Sequence, residues 1–362
     1  MIKRRRCRVV RVGGVKVGGD APVSVQSMTK TKTSSLEDTV RQIKALEKAG
    51  CEIVRLAVKD PDDAKALKEI KRRTDIPVVA DIHFDHRLAL ESIKSGADKI
   101  RLNPGNMRKV DEIREVVRSA KRAGIPIRIG VNSGSVLPVH GPRSTVHGKN
   151  VASGLVEAAL RYVKLFEEMD FYDIIISLKA SDVVSTIDAY RRIAARCDYP
   201  LHLGVTAAGP HDSGIVKSSI GIGTLLLDGI GDTIRVSLTA DPVDEVIAAR
   251  RILSAVGLRR FGHDIISCPT CGRCQVDLGR IVRELERKLT AQSPKPKAHG
   301  PQPLTIAVMG CEVNGPGEAR EADIGIAAGK GSGVLFRDGK ILKRLKEKDF
   351  VKGILKLIAQ SS

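Results

Sequence analysis

Between residues 23 and 256 one pattern recurs eight times: a short apolar run, a turn, then a stretch with helical spacing of its apolar residues. The pairs are Val23–Met28 with 35–49, Glu52–Val58 with 61–73, Val78–His83 with 86–95, Lys99–Leu102 with 107–123, Ile127–Val131 with 151–168, Ile174–Leu178 with 182–196, Leu201–Thr206 with 211–228, and Thr233–Leu238 with 242–256. Short apolar runs are what parallel strands buried on both faces look like. Eight βα units in about 240 residues match a TIM (β/α)8 barrel, which takes roughly 250. A doubly wound open sheet is the alternative, because periodicity does not report closure. Ahead of the repeats, Val9, Val10, Val12, Val15 and Val17 alternate around Gly13-Gly14 and predict a hairpin. The expected divisions are a hairpin at 1–20, a substrate-binding barrel at 21–258 and a small α/β domain at 259–362.

In such a barrel the chemistry sits where strands run into the following loops. Here those ends are dense in polar residues: Gln26-Ser27-Met28-Thr29, Arg55, Asp81-Ile82-His83, Arg101 with Asn103, Arg128 with Asn132, Ser177 with Lys179, His202 and Thr206, and Arg235 with Ser237. Arg55, Arg101, Arg128 and Arg235 stand where a strand wants apolar residues. One such arginine suits a structural ion pair. Four, with Lys179, aimed at one rim call for an anionic ligand, and guanidinium forks suit the oxygens of a phosphorylated, diphosphate-type ligand. His83 and His202, taken singly, read equally well as satisfied barrel histidines. The formal net charge of +19 favours phosphates of any kind, or is simply a basic solvated surface. Aromatic residues are only 3% of the chain, with no Trp, which speaks against single-stranded nucleic acid stacked on aromatic platforms.

The pattern changes at Leu258-Arg259-Arg260-Phe261-Gly262. Strands are expected at 264–267, 304–309, 322–327 and 333–336, with helices at 275–289 and 344–359 and a surface loop at 292–303. Gly329-Lys330-Gly331-Ser332-Gly333 lacks the spacing of a phosphate loop and precedes a strand, so it predicts a hairpin turn. Two turns hold Cys268-Pro269-Thr270-Cys271 and, forty residues on, Gly310-Cys311 with Glu318 in Asn314-Gly315-Pro316-Gly317-Glu318. Three thiolates and a carboxylate suit zinc or an iron–sulfur cluster. Closed structural zinc prefers four Cys or His ligands, so an oxygen in fourth place leans towards a reactive cluster. Cys274 extends the turn to Cys268-x2-Cys271-x2-Cys274 and competes with Glu318 as fourth ligand, although a free thiol at the start of the next helix is preferred. Cys7, Cys51 and Cys197 lie in separate strand or helix patterns and read as small buried hydrophobes. No apolar run follows the basic residues Lys3-Arg4-Arg5-Arg6, and no stretch is apolar enough to span a membrane. Reduced thiols in the cytoplasm are therefore expected.

Taken together the chain resembles the 4-hydroxy-3-methylbut-2-enyl diphosphate synthase family over nearly its whole length. The residues that carry the resemblance are Val25-Gln26-Ser27-Met28-Thr29, Ala80-Asp81-Ile82-His83-Phe84, Arg101-Leu102-Asn103-Pro104-Gly105-Asn106, Arg128-Ile129-Gly130-Val131-Asn132-Ser133-Gly134-Ser135, Ser177-Leu178-Lys179-Ala180-Ser181, His202-Leu203-Gly204-Val205-Thr206, Cys268-Pro269-Thr270-Cys271 and Asn314-Gly315-Pro316-Gly317-Glu318. The resemblance implies an oxidoreductase of isoprenoid precursor biosynthesis that opens and dehydroxylates 2-C-methyl-D-erythritol 2,4-cyclodiphosphate. It implies a 4Fe–4S cluster on Cys268, Cys271, Cys311 and Glu318, with Glu318 a ligand that gives way to substrate. It implies electrons from flavodoxin or ferredoxin, and a homodimer whose active sites are shared across subunits.

One departure matters. The family places a glutamate after His-Leu-Gly-Val-Thr, as a carboxylate near the substrate and a favoured proton donor; this chain has Ala207. Alanine does no acid–base work, so reduced turnover, or a substitute donor such as His83 or water, is expected. Two other classes compete: a pterin-type barrel transferase, which has no use for the cysteine domain, and a basic nucleic-acid-binding redox sensor, against which the scarce aromatics and rim-directed arginines speak.

Overall fold

The computed structural model describes residues 2–103, 106–107, 109–136, 149–180, 182–206, 208–292, 303–311 and 322–360. The chain divides into two compact units, one ending at Arg259 and the other beginning at Arg260. Among the described residues no helix is long and apolar enough to cross a membrane.

The first unit opens with the hairpin β1 (Val10–Val12) and β2 (Val15–Val17), paired antiparallel with Val10 opposite Val17. Its valines Val10, Val12 and Val17 pack against Ile53, Val79 and Ile175 and close one end of the ring that follows. That ring consists of β3 (Ser24–Met28), β4 (Ile53–Val58), β5 (Val78–Ile82), β6 (Lys99–Leu102), β7 (Ile127–Asn132), β8 (Ile174–Lys179), β9 (His202–Leu203) and β10 (Thr233–Ile234). All pairs are parallel, in the order β8-β7-β6-β5-β4-β3-β10-β9, and a parallel bridge between Ile176 and Leu201 joins the last strand to the first. The sheet therefore closes as a barrel, and the open-sheet alternative falls.

The helices of this unit are α1 (Leu36–Ala49), α2 (Pro61–Arg73), α3 (His86–Lys94), α4 (Val110–Ala123), the short α5 (Ser133–Val136), α6 (Lys149–Glu167), α7 (Val183–Ala194), α8 (His211–Leu227) and α9 (Pro242–Ala255). Several start where the sequence supplies an acidic cap. Asp60, Asp85, Asp182 and Asp241 each accept a hydrogen bond from a first-turn amide of α2, α3, α7 and α9. The helix expected from 107 begins only at Val110, because the Asn106 and Met107 amides bond back to the Asn103 carbonyl and close a turn first. β9 and β10 keep two residues each instead of six. Beyond them the pairing thins to single bonds, Arg235 N to Leu203 O and Thr206 N to Ala180 O.

The second unit is a five-stranded sheet, β11 (Asp264–Ser267), β12 (Thr305–Met309), β13 (Ile324–Gly329), β14 (Ser332–Arg337) and β15 (Lys340–Lys346), in that order. The first two pairings are parallel and the last two antiparallel. Helices α10 (Leu278–Gln292) and α11 (Phe350–Ala359) share one core, with Leu285, Phe350 and Ile354 against Ile306, Ile324, Ile326 and Leu335. The Lys330-Gly331 turn between β13 and β14 is the hairpin expected there. Two expectations are corrected. The last helix does not run from 344: residues 340–346 form β15, returned by a turn at Asp338-Gly339, and the helix starts at Phe350. The helix expected from 275 starts at Leu278, since the Gln275 amide is bonded to the Gly310 carbonyl and Asp277 accepts from Arg280 N.

Candidate active site

Alternate residues of each strand face the barrel interior, and on three strands the inward sequence turns from apolar to polar one step along. Ile53 is followed by Arg55, Val79 by Asp81 and Ile175 by Ser177. The apolar members seal against the hairpin; above them the interior is polar. Lys99, Arg101 and Asn103 on and after β6, Arg128 on β7, Ser177 and Lys179 on β8, and His202 on β9 are all buried. Arg235 follows β10 with its side chain 12% exposed. Asn132 ends β7 opposite Lys179. His83 lies at the mouth, its side chain 44% exposed, and Ser237 is half-buried.

Two carboxylates hold part of this charge. Asp81 meets Arg101 Nη1 at 3.1 Å and Arg55 Nε at 3.7 Å, and lies 3.3 Å from His83 Nε2. Burial works to raise the Asp81 carboxyl, but the Arg55 and Arg101 guanidiniums outweigh it and hold it well below the usual range. Glu245, reaching in from α9, accepts from Leu238 N at 3.0 Å and Ser27 Oγ at 3.3 Å, and pairs with Lys30 at 3.2 Å and Arg235 at 3.5 Å.

The remaining positive charge is poorly matched. Arg55 donates to the weak acceptor Met28 Sδ at 2.9 and 3.1 Å. Among the described residues, Arg128 Nε and Nη1, Arg101 Nε, Arg235 Nε and both ring nitrogens of His202 are buried without a hydrogen-bond partner. Burial and the neighbouring guanidiniums push Arg128, Lys179 and Lys99 well below their ordinary ranges. Arg235 is pushed down to about 10 by burial and Arg55. A guanidinium does not release its proton in a protein, so the mismatch stands as repulsion that an anion would relieve. Two glycines make this crowding feasible. A Cβ on Gly204 would come within 2.8 Å of Lys179 Nζ, and one on Gly130 would strike Arg101 Nε.

The cysteine turns are built differently. β11 and β12 are parallel neighbours, so Cys268 and Cys311 leave the same end of adjacent strands. The Gly310 amide donates to Cys268 Sγ at 3.4 Å, as backbone amides do to cluster sulfurs. Gly310 is needed there: a Cβ would come within 2.5 Å of Cys274 Sγ. Thr270 takes a left-handed φ of 60° in the turn that exposes Cys271. Cys274 packs on the helix-side core and donates to the Val276 carbonyl at 3.3 Å. Among the described residues no three His, Cys, Asp or Glu side chains form a ready metal set. Glu318 and Ala207 lie outside the described residues. Of the other cysteines only Cys51 is the buried hydrophobe expected. Cys7 and Cys197 lie outside the strands and helices and are half-buried, with the Cys7 thiol bonded to Asp232 at 3.2 Å.

Two family models match the chain: a GcpE TIM-barrel domain over residues 7–250 and a GcpE protein C-terminal domain over residues 264–360. The chain belongs to the GcpE family. GcpE relatives run its full length. It is 54% identical over 360 residues to the 4-hydroxy-3-methylbut-2-en-1-yl diphosphate synthase (flavodoxin) of Thermodesulfovibrio yellowstonii, covering 99% of each chain. It is 52% identical over 357 residues to the enzyme of the same name from Clostridium perfringens, again covering 99% of each. Among solved structures, dihydropteroate synthase from Stenotrophomonas maltophilia aligns with a TM-score of 0.53 at 14% identity, over 70% of this chain and 99% of that one. That likeness shows the barrel fold alone.

Within the GcpE barrel the structure thus gathers Arg55, Arg101, Arg128, Lys179, His202 and Arg235, with His83 and Asn132 nearer the mouth. His202 is not a satisfied barrel histidine, since neither ring nitrogen has a partner among the described residues. Sequence reasoning missed Lys99, whose signal was its place two residues before Arg101 on one strand face. It also missed Glu245, which carries no strand pattern and looks like an ordinary acidic residue in the first turn of a helix.

Proposed function

We propose that the chain is a 4-hydroxy-3-methylbut-2-en-1-yl diphosphate synthase, which opens and dehydroxylates 2-C-methyl-D-erythritol 2,4-cyclodiphosphate. The observation that carries the reading is the buried ring of guanidiniums and amines with unmatched donors, in a member of the GcpE family. Arg55, Arg101, Arg128, Lys179 and Arg235 bind the diphosphate and compensate its charge, while Asn103, Asn132, Ser177 and Ser237 orient it. Barrel walls exclude water from these groups, which strengthens every charge interaction among them. His83, held between Asp81 and Arg101, is placed at the mouth to hold or move a proton at Nε2.

The soft thiolate donors and the amide bond to Cys268 Sγ fit an iron–sulfur cluster, here a 4Fe–4S cluster on Cys268, Cys271, Cys311 and Glu318. When bound, such a cluster supplies the two electrons of the reduction one at a time. Flavodoxin, as in the relatives' names, is the proposed donor, with ferredoxin the alternative. A cytoplasmic homodimer, in which the cluster domain of one copy serves the barrel of another, belongs to the same proposal. Ala207 removes the family's carboxylate, and Ala207→Glu is expected to raise the rate.

The test is anaerobic. The protein is reconstituted with iron and sulfide, given a one-electron reductant and the cyclic diphosphate, and assayed for the linear diphosphate. Product, increased in the Ala207→Glu variant, is expected. A preparation that takes up no iron would overturn the cluster assignment. One that carries the cluster yet makes no product, even as Ala207→Glu, would overturn the reaction.

A further inference from the structure

We propose that Lys99 is a proton acceptor beneath the diphosphate site: its amine is uncharged in the free enzyme and takes up one proton when the diphosphate binds above it. This rests on the diphosphate reading and assigns Lys99 a positioning role through charge, without contact to the reacting atoms. Lys99 lies two residues before Arg101 on β6, so it shares the inward face one step deeper. It has no exposed surface. An ammonium carries three donors, yet among the described residues its only side-chain hydrogen bond is a long one, 3.4 Å to Gln26 Oε1 on β3.

The charged groups around it are nearly all of its own sign. Arg128 acts on it from β7 and Arg55 from β4, while His202 on β9 and Lys99 repel each other when charged. Asp98, the residue before it, is the carboxylate that favours its charge, but Asp98 is already engaged by Lys71 Nζ at 2.5 Å and by Val78 N at 2.7 Å. Asp81, on the neighbouring strand β5, is held by Arg55 and Arg101. Burial and the two guanidiniums push the Lys99 amine well below its ordinary range. The arginines are unable to shed protons, so the lysine gives way. Phosphoryl charge entering above reverses the sign of the field and restores the proton. The bookkeeping is complete without a redox partner: one proton leaves buffer and joins the Lys99 Nζ lone pair.

The cyclic diphosphate is a clean probe. Each of its phosphorus atoms keeps one strongly acidic oxygen, so the ligand itself does not titrate near neutrality. The experiment is isothermal titration calorimetry of the cyclic diphosphate into the full-length chain at pH 8, in Tris and in HEPES, whose ionisation enthalpies differ. Net proton uptake is expected for the native chain, smaller by about one in Lys99→Met, which keeps Lys179. Binding without proton uptake, or an unchanged count in Lys99→Met, would overturn the proposal while leaving the diphosphate reading intact. Absence of binding would overturn both. If Lys99→Met does not fold, the native chain still tests the proposal: uptake of one proton weakens affinity about tenfold per pH unit across the window, and a flat affinity from pH 7 to 9 overturns it.

Discussion

At the scale of single residues the barrel is a problem of like charges held close together, met by counter-charge and by space. Asp81 is the carboxylate between Arg55 and Arg101. Asp81→Asn keeps the shape and removes the charge, leaving two guanidiniums uncompensated in a buried site. A loss of about 3–5 kcal/mol is expected, read by chemical denaturation, and an unchanged midpoint would show that Asp81 is not the counter-charge. Gly130 tests the opposite quantity, space. The Arg101 guanidinium, tied to Asp81 and to the Gly130 carbonyl at 3.0 Å, occupies the place of a Cβ. Gly130→Ala is expected to displace it and to weaken the cyclic diphosphate at least tenfold, about 1.4 kcal/mol. Calorimetry would measure this, and native affinity in the variant would refute the role given to Arg101.

At the scale of elements, strands and helices of the barrel were legible because each βα unit combines two unlike periods, and α2, α3, α7 and α9 add an acidic cap between them. What stayed hidden depended on contacts distant in sequence. Closure rests on the seam between β8 and β9, where Ile176 bridges to Leu201 and the Ile176 and Thr206 amides donate to the Pro200 and Ala180 carbonyls. Glu245 becomes a site residue only because α9 packs beside β3. β15 was misread for a different reason: its sequence Lys340-Ile341-Leu342-Lys343-Arg344-Leu345-Lys346 is apolar at irregular intervals, since the pairing shifts register near Leu335 and Phe336. The missed signal was Asp338-Gly339, with φ of 49° and 73°, the two left-handed residues that a type I′ hairpin turn demands. Gly339→Val forces a β-branched residue into that region and should lower stability by about 1–3 kcal/mol. The measurement is denaturant unfolding of the whole chain, with Asp338→Asn as a tolerated control. Equal stability of Gly339→Val and the native chain would contradict the turn.

At the scale of the whole molecule, buried cations make stability depend on pH with a definite sign. Lys99, Lys179 and His202 all lie below their ordinary values of 10.5, 10.5 and 6.5, chiefly through burial. The unfolded chain therefore binds protons that the folded chain refuses, and stability falls as pH falls from those ordinary values towards the depressed ones. Each proton so taken up on unfolding contributes about 1.4 kcal/mol per pH unit. Asp81 acts lower on the scale, its contribution being present above 3.8 and lost as pH falls through its depressed value. On the alkaline side Cys7 and Cys51 are pushed up to about 12 by burial, so their contribution is lost as pH rises above 9.0. The melting temperature of the ligand-free chain should thus climb as pH rises towards 9.0, above which the cysteines act the other way. The cyclic diphosphate, by raising the lysine and histidine values back towards normal, should both raise the melting temperature and flatten its slope with pH. Thermal melts followed by circular dichroism with and without the diphosphate read both effects. A melting temperature independent of pH in the ligand-free chain would mean that the barrel interior keeps its charges compensated by means other than releasing protons.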